Sequence, residues 1–235
     1  SLGGRRASVS RTSRSIAARV SSARSLGSSS NGPLTTSAAK GAPPGPRIAT
    51  ASDVMRGEEV ELVGLMADPA RHALAENSVI ILPGSHSKHV QLSKGQIVGF
   101  TTYLTGELFS LLAQNSTLNT PDVQRFDPAS FIAGLQASRI HGLSAALFQT
   151  RARTVLGYLA ASHSQAFLSG VLIGAEVAAL VGRPARHIVL AAGEALARQY
   201  ILAVGELLPD ASVEQVAPAE LALAMVRGQA KILNY

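Results

Sequence analysis

Residues 78–92 read SVIILPGSHSKHVQL, and this stretch decides the fold of the chain. After Ser78 the first run is apolar and mostly β-branched, a composition that favours a buried strand. Pro83-Gly84 ends the run, and an alternating run follows over residues 89–92. The stretch therefore predicts a tight β-hairpin with its tip at residues 83–88.

The predicted tip has the composition of a phosphate-binding turn. Gly84 lets the backbone come close to a ligand. Ser85 and Ser87 add hydroxyl groups, and Lys88 adds a positive charge. Exposed N–H groups in such turns bind anions. The pattern G-x-x-x-x-G-K of a Walker loop is absent, so an ordinary hairpin turn is the alternative interpretation.

The distribution of charge argues against a nucleic-acid partner. The 235 residues carry a formal net charge of +6, but residues 1–52 hold eight basic and no acidic residues. The remaining thirteen basic and fifteen acidic residues give residues 53–235 a net charge of −2. That part shows no basic face with interleaved aromatic residues, so we expect no nucleic acid there. The lack of cysteine excludes disulfides and thiolate metal sites.

Residues 1–50 predict a disordered tail. They are rich in Ser, Arg, Gly, Ala and Pro and contain no aromatic residue, so they cannot bury enough surface to offset the entropy of ordering. An Arg- and Ser-rich start without acidic residues also resembles a transit peptide. An out-of-frame artefact is the other interpretation, and we favour a tail or an artefact over a targeting signal.

The remaining chain predicts an α/β domain. Residues 51–77 predict a connecting helix with Asp53 as N-cap, and residues 78–235 predict three antiparallel strands, long helices, and then strand, helix, strand, helix. Asp127-Pro128 predicts a helix start. Gly170 and Gly174 have the G-x-x-x-G spacing of some membrane helices, but Glu176 in the same helix favours a buried helix instead, and we expect no membrane span.

Four motifs resemble the 2-dehydro-3-deoxygalactonokinase family, which belongs to the actin-like sugar-kinase superfamily. They are DVMRGEEVELVG at 53–64, LPGSHSKHV at 82–90, TGELF at 105–109 and FLSGVLIGAE at 167–176. The family usually has Thr where Ser85 stands and Trp where His89 stands. The resemblance implies the second half of an actin-like, ribonuclease H-like fold, a mixed sheet with helices on both faces. It also implies a cytoplasmic enzyme that transfers phosphate from ATP, with Mg²⁺, to a sugar acid.

The resemblance also implies roles for individual residues. The catalytic candidates are Asp53, Glu58 and His86, and the substrate-binding candidates are Arg56, Glu59, Thr105 and Glu107. The candidates for nucleotide and phosphate binding are Gly84, Ser85, Ser87, Lys88, Gly193 and Glu194. Helix capping and solvated turns are the alternatives for these residues. Metal ligands stay unknown, and a homo-oligomer stays open.

The front of the chain departs from the family pattern. The family begins with a strand that carries an Asp-x-Gly-type phosphate loop, and residues 1–52 contain no acidic residue. We therefore expect a truncated kinase with weak or no activity. The alternative is a non-catalytic actin-like fragment that binds ATP.

Overall fold

The computed structural model describes residues 53–68, 77–119, 126–183 and 187–233. The predicted tail at residues 1–50 lies outside the described residues. A compact unit that begins at Arg56 contains the predicted hairpin.

The elements of this unit follow the predicted order. Seven helices and five strands are described, together with a short 3₁₀ turn at Ala161–His163. In chain order they are α1 (Glu58–Met66), β1 (Ser78–Leu82), β2 (Ser87–Ser93), β3 (Gln96–Tyr103), α2 (Thr105–Asn115), α3 (Pro128–His141), α4 (Leu143–Val155), α5 (Ser164–Ala178), β4 (His187–Leu190), α6 (Glu194–Leu207), β5 (Ser212–Gln215) and α7 (Pro218–Leu233).

The five strands form one mixed sheet in the order β3-β2-β1-β4-β5. β1, β2 and β3 are antiparallel neighbours, as two short connections predicted. β4 pairs parallel with β1, with Ser78 opposite His187 and Ile81 opposite Leu190, and β5 continues the parallel half. The predicted α/β fold with a mixed sheet is confirmed.

Strand alternation sends neighbouring side chains to opposite faces of the sheet. On one face, Val79 and Ile81 lie in a buried core with residues of α3, α5 and α6. Ile81 pairs directly with His89, so His89 shares that face. Ile80 is also only 1% exposed, so the central strand is covered on both sides. This explains why its sequence is a continuous apolar run.

The predicted N-cap at Asp127 is confirmed, whereas the one at Asp53 is wrong. The carboxylate of Asp127 accepts a hydrogen bond from the backbone N–H of Ser130 at 2.8 Å. α1 instead begins at Glu58, after Gly57 with a φ of 105°. Glu58 and Glu59 accept hydrogen bonds from the N–H groups of Arg56 and Gly57, so carboxylates inside the helix do the work of a cap.

The glycines of α5 allow close helix packing, as predicted. A Cβ at Gly170 would overlap the carbonyl oxygen of Phe131 in α3, and one at Gly174 would press on the backbone of Leu135. Gly134 of α3 makes the reciprocal contact with the backbone of Phe167. None of the helices in the described ranges is long and apolar enough to span a membrane.

A second glycine contact joins the first and last helices of the unit. A Cβ at Gly64 of α1 would overlap the carbonyl oxygen of Ala224, and one at Gly228 of α7 would overlap that of Val60. Leu62 and Leu65 of α1 are buried. α1 is therefore held in place by α7.

We predict that Gly170→Ala destabilises the fold by about 2–3 kcal/mol, because the added methyl group has no space between α3 and α5. Gly205→Ala is the matched control. Gly205 is also helical, but no atom lies within 4 Å of its added Cβ, so this change should be neutral or stabilise by up to about 1 kcal/mol. Urea denaturation of both variants measures the difference, and equal stabilities would contradict this packing.

Candidate functional site

Strand direction brings the two predicted glycine turns to one edge of the sheet. β1 and β4 are parallel neighbours, so the turn after Leu82 and the turn after Leu190 leave the same edge. The N–H of Ala191 donates to the carbonyl of Ile81 at 2.9 Å, which joins the two strand ends. β3 runs parallel to β1 as well, so α2 also begins at this edge.

The hairpin tip is shorter than the sequence predicted. β2 begins at Ser87 rather than at residue 89, so Ser87 and Lys88 are strand residues. Their side chains are buried on opposite faces of the sheet, and only residues 83–86 form the turn. The placement of Ser87 and Lys88 at an exposed tip is wrong, because the strand pairing with β1 continues to Lys88.

Lys88 forms an ion pair across to α1. Its Nζ lies 2.7 Å from Oε1 of Glu58 and donates to the carbonyl of His86 at 3.1 Å. The lysine side chain is 4% exposed and that of Glu58 is 31% exposed. Partial burial raises the pKa of Glu58, but the hydrogen bond and charge of Lys88, together with hydrogen bonds from backbone N–H groups, outweigh it, so the pKa lies below its ordinary value. The pair fixes the base of the hairpin to α1.

The first turn of α2 packs directly on the hairpin turn. A Cβ at Gly106 would overlap the carbonyl oxygen of Gly84, so only glycine fits this approach. The N–H of Glu107 donates to the carbonyl of Ser85 at 3.0 Å. The Glu107 carboxylate also lies 2.5 Å from Nε2 of His86. The exposed His86 and Glu107 therefore form a pair at the rim of the turn.

A cavity of about 480 Å³ opens beside the hairpin turn. The turn and the start of α2 form one side, and α5 and α6 form the others. Its apolar residues include Phe109, Leu172 and Leu196, and its polar residues include Gln165, Ser169 and Gln199. An apolar cavity with a few polar groups and an open glycine turn at one end is typical of a small-molecule site.

The sequence interpretation gave no role to a buried carboxylate at this edge. Glu176 of α5 is 2% exposed, and its carboxylate contacts Ser87, His89, Thr105 and Tyr200. Burial and the neighbouring Glu176 charge raise the pKa of Tyr200 well above its ordinary value. A single carboxylate in an apolar helix was the available signal, because a buried charge is rare without a partner.

The remaining predicted residues lie at helix starts. Arg56 is exposed, and Glu59 Oε2 accepts from the N–H of Gly57. Gly193 is the N-cap of α6 with open space where a Cβ would stand, and Glu194 is the exposed first residue of that helix. The described ranges contain no group of three or more His, Asp or Glu residues that could hold a metal ion.

Comparison with known proteins gives consistent matches. The family model for 2-keto-3-deoxy-galactonokinase matches residues 37–227. The chain is 40% identical over 152 residues to a 2-dehydro-3-deoxygalactonokinase of Escherichia coli K12, covering 63% of this chain and 50% of that protein. It is 39% identical over 137 residues to a Rhizobium meliloti protein, DgoK1, assigned the same activity, covering 55% and 44%. The chain therefore spans about half the length of these curated relatives.

A solved structure extends the similarity to three dimensions. A crystal structure from Sinorhizobium meliloti, of a protein assigned as a 2-dehydro-3-deoxygalactonokinase, matches with a TM-score of 0.66 and 31% identity. The match covers 77% of this chain and 60% of that one.

We predict that removing Glu58 from the Lys88–Glu58 pair destabilises the fold more than removing Lys88. Glu58→Gln should cost about 2–3 kcal/mol, since it leaves Lys88 buried without a counter-charge. Lys88→Met should cost about 1 kcal/mol, because the half-exposed Glu58 can be hydrated. Denaturant unfolding at pH 7 measures both, and a larger loss for Lys88→Met would contradict the observed burial.

The same pair predicts a pH dependence. The pKa of Glu58 is lowered in the folded state, so its contribution is complete above the ordinary value of 4.5 and is lost as the pH falls through the folded value. The free energy of unfolding, measured by denaturation between pH 7 and pH 3, should therefore fall less steeply with pH for Glu58→Gln than for the unsubstituted chain. The same pH dependence of the unfolding free energy in both chains would contradict the pairing.

Proposed function

Because the chain belongs to the 2-keto-3-deoxy-galactonokinase family, we propose that it carries the nucleotide-binding part of an ATP-dependent kinase. The acceptor is 2-dehydro-3-deoxy-D-galactonate, the sugar acid named by its relatives' activity. The observation that supports this best is the open turn at Gly84 and Ser85, which forms one end of a cavity large enough for a nucleoside.

The shape of this edge fits a nucleoside triphosphate. No atom lies within 4 Å of the position where a Cβ of Gly84 would stand, so phosphate oxygens can approach the backbone there. The helices α2 and α6 both begin at this edge, and the positive ends of helices favour anions. The apolar wall formed by Phe109, Leu172 and Leu196 suits an aromatic base.

The reaction is transfer of the γ-phosphoryl group of ATP to a hydroxyl of the sugar acid. The P–O bond to ADP breaks, a new P–O bond forms, and the hydroxyl proton passes to a base. Mg²⁺ bound with ATP would offset the phosphate charge. The protein's share is positioning and electrostatic stabilisation.

The contacts of the individual residues support the following division of roles. Gly84 and Ser85 receive the phosphates, and Gly193 leaves space on the α6 side. Lys88 and Ser87 hold the turn in place rather than contact the phosphates, since both are bonded to carboxylates. Thr105 is also bonded to a carboxylate, so we place it in the wall of the phosphate site rather than at the substrate.

For the sugar acid we keep the roles that the family resemblance implies. The exposed Arg56 guanidinium binds the substrate carboxylate. Asp53 accepts the hydroxyl proton. Glu58 is a weaker base, because Lys88 lowers its pKa. The His86–Glu107 pair lies at the rim of the turn.

We expect the protein that carries this chain to release ADP from ATP only when the sugar acid is present. Turnover should reach about 1 s⁻¹ or more, the lower end for kinases. A coupled ADP assay with 2-dehydro-3-deoxy-D-galactonate measures it, with D-galactonate as the control lacking the 2-keto group. ATP binding without any acid-dependent ADP release would instead support a non-catalytic nucleotide-binding module.

The choice of base is tested by two substitutions of similar size. Asp53→Asn should lower kcat by about 10²–10⁴, the usual contribution of a general base. His86→Asn should change kcat by less than about tenfold, because it removes only the rim pair. If His86→Asn has the larger effect, the imidazole oriented by Glu107 is the base and the role of Asp53 is wrong.

A further inference from the structure

A buried carboxylate cluster lies behind the phosphate-binding turn. It consists of the side chains of Glu176, Ser87, His89, Thr105 and Tyr200. The exposed fraction of each is 8% or less, and four of the five are at or below 2%. No role proposed above uses its central group, Glu176.

The Glu176 carboxylate is fully hydrogen-bonded. Oε1 accepts from Ser87 Oγ at 2.6 Å and lies 2.9 Å from His89 Nε2. Oε2 accepts from the Tyr200 hydroxyl at 2.8 Å and from the Thr105 hydroxyl. A carboxylate has about four lone-pair positions, and all four are used here. Four donors around one group suit an ionised carboxylate, which accepts only.

The four partners come from three separate elements of the fold, two of which line the cavity. Ser87 and His89 belong to β2, directly after the turn. Thr105 is the first residue of α2, and Tyr200 belongs to α6. Thr105 and Tyr200 also line the cavity itself. Glu176 therefore joins two elements of the cavity wall, α2 and α6, to the strand that follows the turn.

The position of the turn depends on Glu176 indirectly, through the start of α2. Gly106 packs on the carbonyl of Gly84, and the N–H of Glu107 bonds the carbonyl of Ser85. Both residues directly follow Thr105, whose hydroxyl is held by Glu176. A shift of α2 would move Gly84 and Ser85 with it.

Stability alone does not account for a charge in this place. Burying a carboxylate costs several kcal/mol before its hydrogen bonds compensate, and an apolar replacement is often equally stable. Such a group is useful where it fixes one geometry. From the contacts we infer that Glu176 is a positioning residue, which sets the affinity for the phosphates of ATP without contacting the nucleotide. This inference rests on the proposed nucleotide site.

The test is a comparison of two ligands that differ in their phosphates. Glu176→Gln keeps the shape of the side chain but replaces one acceptor oxygen by an NH₂ group, which opposes donors that the carboxylate had accepted. Calorimetric titration should show a Kd for MgATP raised about tenfold and a Kd for adenosine changed less than twofold. A general loosening of the fold would weaken both ligands equally.

Ser138→Ala is the matched control. Ser138 is a buried residue whose hydroxyl donates to the carbonyl of Leu135 in its own helix. Loss of this hydroxyl should lower the midpoint temperature of thermal unfolding and leave the ratio of the Kd for MgATP to the Kd for adenosine unchanged. An equal change of that ratio in Ser138→Ala would overturn the inference.

Single-donor variants keep the test decisive if Glu176→Gln does not fold. Ser87→Ala and Thr105→Val each remove one donor, and each should raise the Kd for MgATP about threefold with adenosine unaffected. If the unsubstituted chain binds both ligands and every folded cluster variant keeps the same ratio, the inference is wrong and the proposed site stands. If the unsubstituted chain binds neither ligand, the proposed site fails, and the inference fails with it.

Discussion

The parallel pairing of β1 with β4 is the constraint on which this edge of the molecule depends. These two strands lie far apart in sequence, yet their pairing brings the turn after Leu82 and the turn after Leu190 to the same edge. Helices that follow such strands begin there too, so their positive ends gather at one place. The cavity, the open glycine turn and the buried carboxylate all lie where these ends converge. If the register of these strands shifted by one residue, Ile81 and His89 would turn to the opposite face of the sheet.

Alternation along β2 divides two functions between neighbouring residues. Ser87 and His89 face α5 and meet Glu176, whereas Lys88 faces the other way and meets Glu58 of α1. The strand after the turn is thus held from both sides by a carboxylate. The contacts of Glu176 are buried, so solvent screens them little, whereas the pair of Lys88 with the 31% exposed Glu58 is only partly desolvated. The turn itself stays open because the contacts with Glu176 and Glu58 are made by residues of β2 and not by residues of the turn.

The sequence predicted local features better than long-range ones. The apolar run of β1, its end at Pro83-Gly84 and the cap at Asp127 depend on neighbouring residues, and each was found where predicted, although the tip was shorter than predicted and the cap at Asp53 was wrong. The family resemblance also predicted the mixed sheet. The burial of Lys88 was not predicted, because its partner Glu58 lies thirty residues earlier and contacts it only in the folded state. The cluster around Glu176 was missed for the same reason, since its members span residues 87 to 200.

The glycine contact between α1 and α7 has a consequence for the order of folding. Gly64 packs on Ala224, and 160 positions of the chain separate them. Closing so long a loop is entropically costly and follows the formation of local contacts. On the ribosome, α1 emerges long before α7 is synthesised, so its apolar side stays without this partner until α7 has left the exit tunnel. Emergence of α7 is therefore the event that completes the packing of α1.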